Sequence, residues 1–126
     1  MIKGIGIDII EIDRIKEAVK KYGDKFLDRV FTQRELSYCK NRKKLKYPEL
    51  AVRFTAKEAY SKAIGTGIQG IHWREIEVVN NKQGKPHISL NGKISPKVHL
   101  SLSHSSNFAV ASVFIEGEHH VGCDQG

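Results

Sequence analysis

The chain has 126 residues, enough for one domain whose core buries roughly two-thirds of the unfolded surface. Hydrophobic residues at 40% and charged residues at 28% suit a folded soluble protein and argue against global disorder. A net charge of +7 favours polyanionic partners, whether nucleic acid, anionic membrane, nucleotide or acidic protein, without choosing among them.

Near the start, Ile5, Ile7 and Ile9 alternate with Gly4, Gly6 and Asp8, a period of two that predicts a strand with its isoleucine face buried. The glycines share a face with Asp8 and leave room there for something bulky. From Glu11, Ile12, Ile15 and Val19 recur at helical spacing until Gly23, and Phe26, Leu27, Val30 and Phe31 suggest a further turn or two of helix. Thr32-Gln33-Arg34-Glu35 has the form of a capping box opening a short helix to about Lys40. A basic loop with Lys40, Arg42, Lys43, Lys44 and Lys46 follows. The strongest helix is expected between Pro48 and Gly65, with apolar contacts from Leu50, Phe54, Ala59, Tyr60, Ala63 and Ile64.

Beyond Gly70 the pattern turns to strands. Ile76, Val78 and Val79 lead into a turn over 80–86 and then into 87–90. Val98, Leu100 and Leu102 alternate with His99, Ser101 and Ser103, and 104–107 reverses the chain into 108–115 as a hairpin. The expected class is α+β, with helices grouped in the first half packed on a mostly antiparallel sheet. Residues 1–116 form one domain in this reading, and 117–126 a polar tail. The start of the chain lacks a basic stretch followed by an apolar run, so no secretory leader is expected. The longest apolar stretch is too short to span a bilayer, which argues against a membrane protein. Cys39 and Cys123 lie far apart, as expected of reduced thiols in the cytoplasm.

Chemistry concentrates in few places. Glu58 and Lys62 are four apart and share a helix face, which is either a surface ion pair or a functional pair. Phe54, one turn earlier, puts the carboxylate at the edge of an apolar face, where it needs a cation or a hydrogen-bonding shell. Asp8 is either an N-cap on the first helix or a second oxygen ligand. Two carboxylates suit Mg²⁺, which fills its remaining positions with waters and substrate phosphates. The run Gly65-Thr66-Gly67-Ile68-Gln69-Gly70 offers backbone amides to a phosphate, though glycines after a helix are first of all C-caps. The chain contains neither a P-loop nor a Gly-x-Ser-x-Gly elbow.

Four segments, read together, resemble the holo-acyl-carrier-protein synthases, the small 4′-phosphopantetheinyl transferases. They are residues 4–9, residues 53–67, Gly84-Lys85-Pro86 and Leu100-Ser101-Leu102-Ser103-His104-Ser105, in the family's order and spacing. The resemblance implies a trimer-forming fold and a Mg²⁺-dependent transfer of 4′-phosphopantetheine from coenzyme A to a serine of apo-acyl carrier protein. Adenosine 3′,5′-bisphosphate would leave, and the product would serve fatty acid biosynthesis. It implies Asp8 and Glu58 as Mg²⁺ ligands and Lys62 as a contact to a donor phosphate, the three forming the catalytic set. Arg53, Gly65 and Thr66 would line the coenzyme A cleft, with Lys44 a looser candidate for its phosphates. Lys85, Pro86, Ser103, His104 and Ser105 would approach the nucleotide from a neighbouring subunit, although His104 also reads as a hairpin-tip histidine bonded to its own turn. Arg14, Lys21, Lys25 and Arg29 would dock the acidic carrier protein, with Phe26 as an apolar anchor. Asp8, Glu58 and a water beside the metal all qualify as general base.

Other classes remain in view. The high charge fits a nucleic-acid-binding module, but the basic residues are not interleaved with aromatic ones and no RRM, KH or zinc-finger signature occurs, so no nucleic acid is expected. A Mg²⁺-dependent nucleotide hydrolase would use the same two carboxylates, and a non-catalytic assembly protein would use neither.

Overall fold

The structure is a computed structural model and describes residues 1–65 and 72–117. Thr66, the later glycines of its run and the expected tail beyond Gly117 lie outside the described residues. In chain order the elements are β1 (Ile2–Glu11), α1 (Ile12–Tyr22), α2 (Asp24–Val30), α3 (Gln33–Tyr38), β2 (Lys40–Asn41), β3 (Lys44–Leu45) and α4 (Tyr47–Ile64). A 3-10 turn at Trp73–Glu75 follows, then β4 (Ile76–Asn80), β5 (Pro86–Leu90), β6 (Lys93–Ile94), β7 (Val98–His104) and β8 (Phe108–Glu116). The class is α+β, and every strand pairing is antiparallel.

The main sheet runs β1-β8-β7, so the first and last strands lie side by side with Ile5 opposite Phe114 and Asp8 opposite Ala111. A second sheet runs β4-β5-β6, and β2 and β3 form a short hairpin inside the basic loop. Two pieces of this sheet structure escape a reading by hydrophobic period. Asn91 and Gly92 both have positive φ and join β5 to β6 as a two-residue hairpin, for which the Asn-Gly pair is the sequence signal. Arg42, at φ 60, turns the chain between β2 and β3. The predicted caps are present. Thr32 and Glu35 complete the capping box, Pro48 opens α4, and Gly65 closes it in the left-handed conformation at φ 86.

Helix α4 packs on β1, β8 and β7 and is buried nearly all round, including Arg53, Thr55, Lys57 and Ser61. Its seat on β1 depends on glycine. A Cβ on Gly6 would lie 1.9 Å from the Ala59 carbonyl oxygen, and one on Gly4 would lie 2.2 Å from that of Ala63. The room predicted beside Asp8 is therefore filled by the backbone of α4. This reverses the expected sidedness of β1. With the glycine face against the helix, Ile5, Ile7 and Ile9 turn outward and are 59, 61 and 62% exposed. Period two gave the strand, but it could not say which face meets the helix, because the closest packing needs no side chain.

Charge inside the fold is paired. The Lys57 ammonium, fully buried, donates to Glu35 Oε1 and the Val30 carbonyl, both at 2.6 Å, and to the Trp73 carbonyl at 3.0 Å. Glu35 in turn accepts from the backbone amides of Thr32 and Val78. Burial presses the Lys57 ammonium below the ordinary lysine value, opposed chiefly by Glu35. This pair ties α3, α4, the 3-10 turn and β4 together. Cys39 is free and buried, and burial pushes its thiol up to about 11, which leaves it unreactive.

Candidate active site

Asp8 and Glu58, fifty residues apart in the chain, meet where β1 runs beside α4. Lys62 Nζ donates to Asp8 Oδ1 at 2.7 Å and to the Ile7 carbonyl at 3.1 Å. The ammonium thus pairs with the aspartate rather than with its i−4 neighbour Glu58, so the surface-pair reading of 58 and 62 does not hold. Neither is Asp8 a helix cap, since Glu11 occupies that position without a side-chain bond. Glu58 is half-buried, and its carboxyl is pushed up to about 7. Burial is the largest cause, followed by hydrogen bonding to Asp8 and the Asp8 charge, while Lys62 and Arg14 pull the other way. Two carboxylates pressed together, with Lys62 paired to Asp8 alone, form a hard-oxygen donor set suited to a divalent cation. Among the described residues no cluster of three or more metal-capable side chains occurs.

A second locus lies on the other flank of α4. A cleft of about 430 Å³ brings together Arg53, Lys85, Pro86, Ser103 and His104 of the predicted nucleotide-binding set. Tyr38, Glu49 and Asn80 join them, none of which the sequence had marked for this role. Arg53 is buried, stacks on Tyr38 at 4.2 Å, and donates to Asn80 Oδ1 at 2.7 Å and Glu49 Oε1 at 2.8 Å. Tyr38 ends a capped helix and Asn80 opens a turn, so local pattern gave each a sufficient structural reason and hid the convergence. His104 lines the cleft while its Nδ1 also lies 3.4 Å from the Ser105 carbonyl, within its own turn.

Lys44 and Ser105 do not line the cleft. Lys44 is exposed on β3, and the Ser105 hydroxyl accepts from the amides of Asn107 and Phe108. Gly65 caps α4 one turn beyond Ser61, exposed and close to the carboxylate site in sequence. Arg14, Lys21, Lys25 and Arg29 are all exposed on α1 and α2. Phe26 is half-buried, its ring set against Phe31 and Phe54 with centroids at 6.1 and 6.3 Å.

A family model described as the 4′-phosphopantetheinyl transferase superfamily matches residues 4–119. A holo-[acyl-carrier-protein] synthase of Chloroherpeton thalassium is 49% identical over 89% of this chain and 96% of its own length. The crystal structure of a holo-(acyl-carrier-protein) synthase from Bacillus anthracis str. Ames, in complex with CoA (3′,5′-ADP), is 46% identical with a TM-score of 0.77, covering 91% of this chain and 96% of that one. The Helicobacter pylori holo-[acyl-carrier-protein] synthase in complex with coenzyme A is 32% identical with a TM-score of 0.77, over 89 and 99% of the two chains. The chain belongs to the 4′-phosphopantetheinyl transferase superfamily, among relatives that are holo-acyl-carrier-protein synthases. It is by that membership a transferase enzyme. No helix of the described residues is long and apolar enough to cross a membrane.

Proposed function

We propose that this protein transfers 4′-phosphopantetheine from coenzyme A to a serine of apo-acyl carrier protein in the cytoplasm, supplying holo-carrier protein for fatty acid biosynthesis. The observation that carries the reading is the convergence of Asp8 and Glu58, with the Glu58 carboxyl raised to about 7 by burial and by its neighbour. Such a pair is relieved by a hard dication, and Mg²⁺ would be held by these two side chains. When bound, the ion supplies charge neutralisation to the donor's diphosphate. Lys62, now held by Asp8, is positioned to exchange that carboxylate for a donor phosphate oxygen. The serine oxygen attacks the phosphorus next to the pantetheine arm, forming one P–O bond as the bridging P–O bond breaks. Adenosine 3′,5′-bisphosphate departs, and the serine proton passes to solvent. Arg53, Lys85, Pro86, Ser103 and His104 would hold the nucleotide, with Gly65, Thr66, Lys44 and Ser105 as further donor contacts that the family resemblance implies.

The two loci lie on opposite flanks of α4. Arg53 and Glu58 stand about 140° apart around a helix with 3.6 residues per turn. A donor reaching both within one subunit would have to pass around that helix. The outward row of Ile5, Ile7 and Ile9, continued by half-exposed Phe114 on β8, is an apolar face of the kind that another subunit covers. Both features support a homo-oligomer, the homotrimer implied by the family resemblance, in which one subunit's carboxylates face a neighbour's nucleotide cleft. The exposed bases Arg14, Lys21, Lys25 and Arg29 would steer the acidic carrier protein, with the free edge of Phe26 among them.

The test is mass spectrometry of an apo-acyl carrier protein incubated with this protein, coenzyme A and Mg²⁺. The expected result is a gain of one phosphopantetheine on the carrier's serine. Release of adenosine 3′,5′-bisphosphate without carrier protein would instead make the enzyme a hydrolase, and no reaction would reject both.

A further inference from the structure

Arg53 holds an unusual position among the lining residues of the nucleotide cleft. Its side chain is 1% exposed, and its Nη1 is saturated, donating to the Glu49 carbonyl at 3.0 Å and to the Glu49 carboxylate at 2.8 Å. Nη2 gives one bond to Asn80, the guanidinium lies over the Tyr38 ring, and Nε has no partner among the described residues. Three of these contacts fix the direction of the guanidinium without the carboxylate: a backbone carbonyl, a side-chain amide and an aromatic face. The Glu49 carboxylate therefore adds charge to this arrangement but does not aim it.

Glu49 is also the single carboxylate among the described residues lining the cleft, whose other charged or titratable members are Tyr38, Arg53, Lys85 and His104. Its side chain is 32% exposed, so it can swing into water without burying a charge. A carboxylate and a phosphate present paired oxygens to the same guanidinium edge.

We infer that Glu49 is a built-in competitor for the phosphate-bearing ligand of this cleft, occupying the Nη1 edge of Arg53 until an incoming phosphate displaces it, and so sets the affinity for the donor and its nucleotide product. The inference rests on the transfer reading above, because it takes the cleft to receive the nucleotide part of coenzyme A. Its consequence is weaker retention of adenosine 3′,5′-bisphosphate after transfer, which favours release where product departure limits turnover.

Glu49→Gln separates charge from orientation, because the amide oxygen still accepts from Nη1. Titration calorimetry of the full chain with coenzyme A, with adenosine 3′,5′-bisphosphate and with neutral adenosine provides the readout, alongside thermal melting to establish that both proteins are folded. The variant should bind both phosphate ligands about fivefold more tightly, the equivalent of one partly exposed ion pair, and adenosine no better than before. Glu49→Ala, which drops the acceptor as well, should gain by a similar factor because the backbone carbonyl, Asn80 and Tyr38 remain. Unchanged or weaker binding of the phosphate ligands by Glu49→Gln, with wild-type binding intact, would overturn the competitor role while leaving the transfer reading standing. A gain that extends to adenosine would overturn it too, since it would not act through charge. Wild-type protein that binds neither coenzyme A nor the bisphosphate would remove the transfer reading and the inference with it.

Discussion

Gly6→Ala tests whether the site is built by backbone contact between β1 and α4. A methyl group there begins 1.9 Å from the Ala59 carbonyl oxygen, 2.8 Å from the Ala63 nitrogen and 2.9 Å from the Ala59 carbonyl carbon. Real Cβ contacts do not fall below 3.0 Å, so strand and helix must part by about 1.1 Å, and all three obstructing atoms are backbone. Overpacking of this kind costs about 1–3 kcal/mol, and more where nothing flexible can yield. For a domain of this size the melting temperature should fall by about 5–10 °C. Glu58 sits one residue before Ala59 and moves with it, while metal ligation tolerates only about 0.2 Å. Loss of activity at a temperature where the variant is still folded should therefore exceed the loss of stability. Gly117→Ala, whose Cβ would meet only the Met1 carbonyl at 3.7 Å, serves as the control and should melt like the wild type. A Gly6→Ala protein that melts within about 2 °C of wild type and keeps its Mg²⁺ response would refute the reasoning.

Four further outcomes are expected. Glu58 binds its proton more tightly when folded, near 7 against an ordinary 4.5, so its contribution to stability is complete below pH 4.5 and is lost as pH rises through 7. Mg²⁺ should replace that proton, stabilising the fold at pH 8 by about 1–2 kcal/mol after discounting for a half-buried group and hardly at pH 5, read as a rise in melting temperature at the higher pH alone. Equal stabilisation at both pH values would count against Asp8 and Glu58 as ligands. Glu35→Gln should cost about 3 kcal/mol in urea denaturation by leaving the Lys57 ammonium buried beside a neutral partner, and a loss under about 1 kcal/mol would show the pair to be incidental. Arg14→Glu should raise KM for the carrier protein and not for coenzyme A, whereas equal effects on both would place Arg14 at the donor instead. If the proposed homo-oligomer forms through the outward isoleucine face, Ile7→Asp should run as a monomer in light scattering and lose transfer, and a variant that assembles like the wild type would clear that face of the role.

Much of the local order was legible along the chain. Thr32 and Glu35 announce a capping box, Pro48 and Gly65 bracket α4, and the turns expected over 80–86 and 104–107 fall between strands at 81–85 and 105–107, because caps and turns are decided by residues within a few positions of one another. The pairing of Asp8 with Glu58 was legible from residue chemistry only as one of two alternatives, cap or ligand for Asp8 and ion pair or ligand for Glu58. The family's motifs favoured the ligand reading, since neither residue's neighbours name the other. Asn91-Gly92 carried a hairpin signal of its own that the surrounding hydrophobic pattern is too short to support.

What sequence determined by itself is the inventory: two carboxylates and an ammonium at the right spacings, a glycine-lined strand, and a basic first third. The tertiary structure alone decided how they are spent. Gly4 and Gly6 could face solvent, ligand or helix, and the close approach of α4 chose the helix, which sent Ile5, Ile7 and Ile9 outward and brought Asp8 to Glu58. Lys57, charged like Lys62 and five positions before it, was drawn inward to Glu35 while Lys62 stayed at the surface with Asp8. An α-helix turns about 140° over five residues, so the two lysines face different partners, and only the packed neighbours of each face settle which becomes structure and which remains for chemistry.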